Sequence, residues 1–120
     1  MMLNRAAALT MVSLAGCTGI PDATDISKEI SRGMNYEEIF VMLSGYEMER
    51  DFRGDVTALQ YCSGSNKNAE YVTVWFIGDQ VEGVTQYYKE LPRNERCGWF
   101  FAEVAWAQAP TAVKTKLYIE

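Results

Sequence analysis

Tyr71-Val72-Thr73-Val74-Trp75-Phe76-Ile77-Gly78-Asp79-Gln80-Val81 decides the fold of this 120-residue chain. Every residue from Tyr71 to Ile77 is β-branched or aromatic, which favours a pleated, two-sided strand over a helix. A period of two places Val72, Val74 and Phe76 on one face and Tyr71, Thr73 and Trp75 on the other. Gly78-Asp79 signals a reversal, and Val81 to Tyr88 reads as the returning strand. Upstream, Leu59 and Tyr61 alternate with Ala58, Gln60 and Cys62 from Thr57 onward. Ser63-Gly64-Ser65-Asn66-Lys67-Asn68 then forms a turn cluster. These runs predict a three-stranded antiparallel meander.

Working outward toward the N-terminus, Asn35 can cap a helix whose third residue, Glu38, completes a capping box, with Met34 as a staple on Ile39. Tyr36, Ile39, Phe40 and Leu43 define its apolar face, and Gly45 is placed to end it. Ile26 and Ile30 stand one turn apart ahead of Gly33, which predicts a shorter helix with a glycine end. Tyr46 to Gly54 is charged and irregular and reads as a solvated loop. Its carboxylates Glu47, Glu49, Asp51 and nearby Asp55 lack the ligand order of a calcium loop. Beyond Leu91 to Arg96, a polar loop, Gly98 to Trp106 is strongly apolar, and its pattern fits helix and strand equally. Pro110 breaks it, and Val113 to Ile119 reads as a short terminal strand. The expected architecture is α+β: two N-terminal helices packed on a three-stranded antiparallel sheet, with a C-terminal extension. One face of the sheet covers the helices. The other is aromatic-rich and exposed unless the extension folds over it.

At the N-terminus, Arg5 precedes an apolar run from Ala6 to Gly16, broken only by Thr10 and Ser13, which closes on Leu14-Ala15-Gly16-Cys17. The run is too short to span a bilayer, which takes about 20 apolar residues. It resembles a bacterial lipoprotein signal peptide. The resemblance implies cleavage before Cys17 and two or three acyl chains on that cysteine, so that the chain divides into a signal peptide at 1–16, a lipidated tether at 17–25 and one domain at 26–120. Thr18 stands where an inner-membrane retention signal would place Asp, which favours the outer membrane, with the domain facing the periplasm or, alternatively, exposed at the cell surface. Export also places Cys62 and Cys97 in an oxidising compartment, where they are expected to pair. Such a bridge stabilises a small domain by roughly 3 to 4 kcal/mol through loop-closure entropy.

The formal charge is -5, and loss of Arg5 makes it one unit more negative. Such a surface is repelled by phosphate backbones and anionic headgroups, so no nucleic-acid partner is expected and membrane residence is assigned to lipid. The chain has no histidine, which excludes Ser-His-Asp and Cys-His catalysis and any His-containing zinc site. No glycine-rich phosphate loop is present. Adjacent carboxylates Glu37 and Glu38 are accounted for by capping and the helix dipole. The reading is of a non-enzyme without metal or cofactor.

Gly33-Met34-Asn35, followed by Glu38, Ile39 and Leu43, resembles the start and body of the second helix in the SmpA/OmlA-type, BamE-like small outer-membrane lipoproteins. Gln60-Tyr61, Val74-Trp75-Phe76, Gly78-Asp79 and Val81 resemble the family's strands and hairpin, and the likeness spans about Ile26 to Tyr88. Ser44 and Tyr46 depart from the family's glycine and proline at the helix exit. The resemblance implies an ααβββ fold and a lipid-anchored module that binds another envelope protein. The alternative is a lipid-tethered inhibitor of a periplasmic or extracellular hydrolase, presenting the Ser63 to Asn68 loop. Trp75, Tyr87, Tyr88, Trp99 and Trp106 are the candidate interaction residues, because aromatics supply much of the energy of interfaces.

Overall fold

The strands expected from the alternating runs are β2 (Val56–Ser63), β3 (Ala69–Ile77) and β4 (Gln80–Lys89). The computed structural model describes residues 19–64 and 68–119; the expected signal peptide, Cys17 and the centre of the Ser63 to Asn68 turn lie outside the described residues. The sheet has four strands rather than three, in the order β1-β2-β3-β4, all antiparallel. β1 (Glu47–Arg53) occupies the stretch expected to be a loop. As an edge strand it is paired on one side only, and five of its seven side chains are exposed, so no apolar alternation marks it. Its backbone ladder to β2, from Glu47 opposite Cys62 to Arg53 opposite Val56, makes it a strand.

Two tight reversals set the register. Arg53 faces Val56 and Ile77 faces Gln80, leaving the two-residue loops Gly54-Asp55 and Gly78-Asp79. Gly54 and Gly78 have φ of 58° and 61°, a left-handed backbone that glycine adopts without steric cost. Glu82 is the additional residue of a bulge in β4, since Trp75 faces Gly83 whereas Phe76 faces Val81.

The helices lie on the Val72, Val74 and Phe76 face. Asn35 accepts from the Glu38 N–H at 2.9 Å and donates its own N–H to the Glu38 carboxylate at 3.1 Å, closing the capping box that starts α2 (Tyr36–Met42). Ile39 and Leu43 are fully buried, and Met34 packs on the cluster that contains them. Phe40, expected on the same stripe, is turned outward and 40% exposed. The first helix begins ahead of Ile26, as α1 (Ala23–Ile26), and tightens into a 3-10 turn over Ser27–Glu29. Ala23 is fully buried against the sheet, so residues 23–25 of the expected tether are docked. Gly33 does not end this helix. It holds φ 92° in the following turn, and its N–H donates to the Val81 carbonyl.

Past β4 the chain folds back over the opposite face. Cys97–Trp99 and Trp106–Gln108 are 3-10 turns flanking an extended stretch, so the ambiguous segment is neither a long helix nor a strand. The expected terminal strand is instead α3 (Thr111–Leu117). Val113 and Leu117, four residues apart, meet the Val56, Ala58 and Trp75 cluster as one helical face. Lys114 and Lys116 sit in the last turn of α3, where they complement the helix dipole. Both faces of the sheet are thus covered, which is why β2 is buried from Val56 to Cys62.

Candidate interaction surface

The C-terminal strap is fixed to the sheet by side chains that converge from β2, β3 and β4. Cys62 on β2 is bonded to Cys97 at its start. The Tyr71 hydroxyl donates to the Cys97 carbonyl at 2.8 Å, and the Lys89 ammonium donates to the Phe100 carbonyl at 2.6 Å. Gln60, a polar residue 2% exposed in mid-strand, donates from Nε2 to the Ala102 carbonyl at 2.8 Å. Its Oε1 accepts a short bond from the Tyr87 hydroxyl, which in turn accepts from the Ala102 N–H at 2.9 Å. Each partner is needed, because a buried polar group left unbonded costs about 1–3 kcal/mol. Among the described residues no buried side-chain polar atom lacks a partner.

This arrangement sorts the five aromatic candidates. Trp75 is 1% exposed and lies edge-on to Trp106 at 5.6 Å; it is core, and its indole N–H donates to the Thr85 hydroxyl. Trp106 is half-buried over it, with the Arg53 guanidinium 4.6 Å from its ring centre. Tyr87 is half-buried, stacked on Tyr71 at 4.7 Å. Only Tyr88 and Trp99 project into solvent, at 60% and 66% exposure. The structure brings Trp75 and Trp106 together as a pair and leaves the other three separate from that pair.

Trp99 lies beside an open cleft that sequence reasoning missed. About 510 Å³ in volume, the cleft is lined by Ile20, Pro21, Asp22, Tyr46, Glu47, Arg96 and the Cys62–Cys97 bridge, among others. Arg96 bonds Glu47 at 2.9 Å, and its guanidinium lies 5.5 Å from the Trp99 ring centre. Gly98 makes room for this pair: a Cβ there would stand 1.8 Å from a Glu47 carboxylate oxygen. Residues 49 positions apart meet here, and no local pattern signals such a meeting. The Arg96–Glu47 bond raises the already high pKa of the guanidinium further, and the pair is too exposed to contribute much stability.

Burial governs the tyrosines. It pushes the Tyr71 phenol up to about 12, with Tyr87 and Glu47 adding to the effect. Tyr87 is also raised by burial, against the lowering effect of its bond from Ala102. Tyr46 and Tyr61 on the helical side shift upward for the same reason, and their hydroxyls donate to the Pro21 and Ala23 carbonyls. These phenols are held protonated as hydrogen-bond donors, which is the opposite of a nucleophile or base. No group of three His, Cys, Asp or Glu side chains able to hold a metal occurs among the described residues. Glu47, Glu49 and Asp51 instead alternate along β1, opposite Cys62, Gln60 and Ala58. No helix of the described residues is long and apolar enough to cross a membrane. No protein-family model, no curated protein and no solved structure matches the chain.

Proposed function

We propose that the chain is a lipid-anchored, non-catalytic module of the bacterial cell envelope, of the SmpA/OmlA, BamE-like kind, tethered to the outer membrane through Cys17 and binding another envelope protein. The observation that carries this reading is the bond between Cys62 and Cys97. It accounts for two of the three cysteines by chemistry proper to an exported protein, and the third stands in the four-residue box Leu14 to Cys17. Helices that precede an antiparallel meander, with Gly33-Met34-Asn35 opening α2 through a complete capping box, also support the family reading. β1 and the strap are additions to its ααβββ plan.

The tether gives the surface an orientation. From Cys17 to Ile20 the chain reaches at most about 10 Å, and Ile20, 57% exposed, lines the cleft beside Trp99. In this reading the cleft faces the lipid anchor. Tyr88 and Trp99 are the side chains offered to a partner, since they combine large area with few rotamers to fix.

Radioactive palmitate and a detergent pull-down test the proposal. Cys17→Ala is expected to abolish labelling, and unchanged labelling would remove the anchor from the account. The lipidated protein is expected to co-purify with outer-membrane assembly or cell-wall proteins, and Tyr88→Ala with Trp99→Ala to lose them. Stoichiometric capture of a hydrolase would favour the inhibitor reading. Turnover of a glycan or peptide by the purified protein would sink both.

A further inference from the structure

The two edges of the sheet differ in chemistry. β1 carries Glu47, Glu49, Arg50, Asp51 and Arg53 along seven residues, the charged edge by which sheet proteins resist pairing with other chains. β4 is uncharged from Gly83 to Tyr88. Its backbone there is also unpaired on the outer side. The Val81 N–H donates to Met34 O and its carbonyl accepts from the Gly33 N–H, both at 2.9 Å, so Val81 directs its backbone groups away from β3. Val84, Gln86 and Tyr88 share the face of Val81, since they stand opposite Val74, Val72 and Glu70 while Val81 stands opposite Phe76. Residues on one face of a strand also share one hydrogen-bonding direction. Their N–H and C=O groups therefore point outward, and no described residue bonds them.

We propose that this edge pairs with the β4 of a second copy, antiparallel, about a two-fold axis at Gln86. Both ends of the open stretch fix that centre. At Val81 the edge is occupied by Gly33 and Met34. At the other end β4 stops at Lys89, after which the chain leaves the sheet and Leu91 is buried with Cys62, Tyr71 and Cys97. Laid antiparallel about Gln86, the second copy ends its β4 at Lys89 opposite Gly83, one register position short of the occupied Val81 because Glu82 is the extra residue of the bulge, so neither end blocks the other. In this register Gln86 faces Gln86, and Val84 faces Tyr88 twice. Val84 and Tyr88 are 36% and 60% exposed in the single chain, and the pairing brings them together as two apolar pairs on the helical face, one on each side of the Gln86 pair. Every outward backbone group of Val84, Gln86 and Tyr88 gains a partner. The interface is isologous, and the resulting sheet is continuous across both copies.

The full lipidated chain in envelope membranes provides the test. In a hydrogen-bonded antiparallel pair the facing Cα atoms lie about 5.5 Å apart, inside the roughly 4.4–6.8 Å span of disulfides. Gln86→Cys is therefore expected to cross-link spontaneously into a dimer of this chain, and Glu49→Cys on the charged edge is not. In detergent, the sedimenting protein mass is expected to correspond to two chains for the parent and to fall to one for Gln86→Lys, which sets two ammonium groups face to face without touching the β3 ladder. A parent that sediments as one chain at every concentration, Gln86→Cys that cross-links no more than Glu49→Cys or only to a different protein, or Gln86→Lys that stays dimeric would each overturn the proposal.

Discussion

On the helical face of the sheet, Leu59, Val72, Val74 and Phe76 meet Ile39 and Leu43 with all six side chains fully buried. On the opposite face, the strap is held by one disulfide, the Gln60, Tyr71, Tyr87 and Lys89 hydrogen bonds, and a smaller apolar cluster around Trp75. The first face is built from segments with regular apolar periods and is stabilised by area removed from water. The second joins a segment without any such period to distant strands and depends on specific bonds. It follows that redox state, which leaves an apolar core untouched, acts on the strap.

Variants can break this contrast, beginning with the largest effect. Phe76→Ala removes a fully buried ring that also lies edge-on to Tyr36 at 4.9 Å. It is expected to cost about 3–5 kcal/mol, read as a fall in the urea midpoint of the whole domain. Replacing both Cys62 and Cys97 by Ala is expected to cost roughly 3 to 4 kcal/mol. Its distinguishing sign is greater hydrogen exchange in the strap than in α2. Uniform exchange throughout would mean that the two faces do not differ in this way.

The smallest effect sharpens the comparison through pH. Tyr71 is neutral in the folded chain, with its pKa raised by burial to about 12 from the ordinary phenol value of 10.0. Above the unfolded value the unfolded chain releases this proton and the folded chain keeps it. The contribution is therefore complete below about pH 10 and is lost as pH rises through about 12. Tyr71→Phe, which cannot ionise, is expected to lose less stability than the parent between pH 9.5 and 11.5, a window on the order of the shift itself. Equal losses in urea titrations across that window would assign the alkaline sensitivity to other tyrosines.

Legibility in the sequence follows the same division. The β2, β3 and β4 runs and the capping box at Asn35 and Glu38 were readable because each is a local pattern with a fixed period or offset. β1 was not, since an edge strand with charges on both faces has no apolar alternation. The α3 stretch reads as a strand in the sequence because Val113, Leu117 and Ile119 fit a period of two over so short a segment. Among the aromatics, composition could not separate Trp75 and Trp106, which pack on each other, from Tyr88 and Trp99, which face solvent. That distinction depends on which side of the sheet the strap covers. The meeting of Arg96, Gly98 and Glu47 across the cleft belongs wholly to tertiary structure, and Gln60 announced itself only as a polar residue inside an otherwise apolar strand.

The measurement closest to the central claim is the intact mass of the protein extracted from the envelope, taken in denaturant with thiol alkylation before and after reduction. The expected chain begins at Cys17, carries acyl chains, accepts no alkylating group without reductant and accepts two once Cys62 and Cys97 are reduced. A chain that retains Arg5 and lacks acyl mass, or one whose thiols alkylate without reductant, would contradict it.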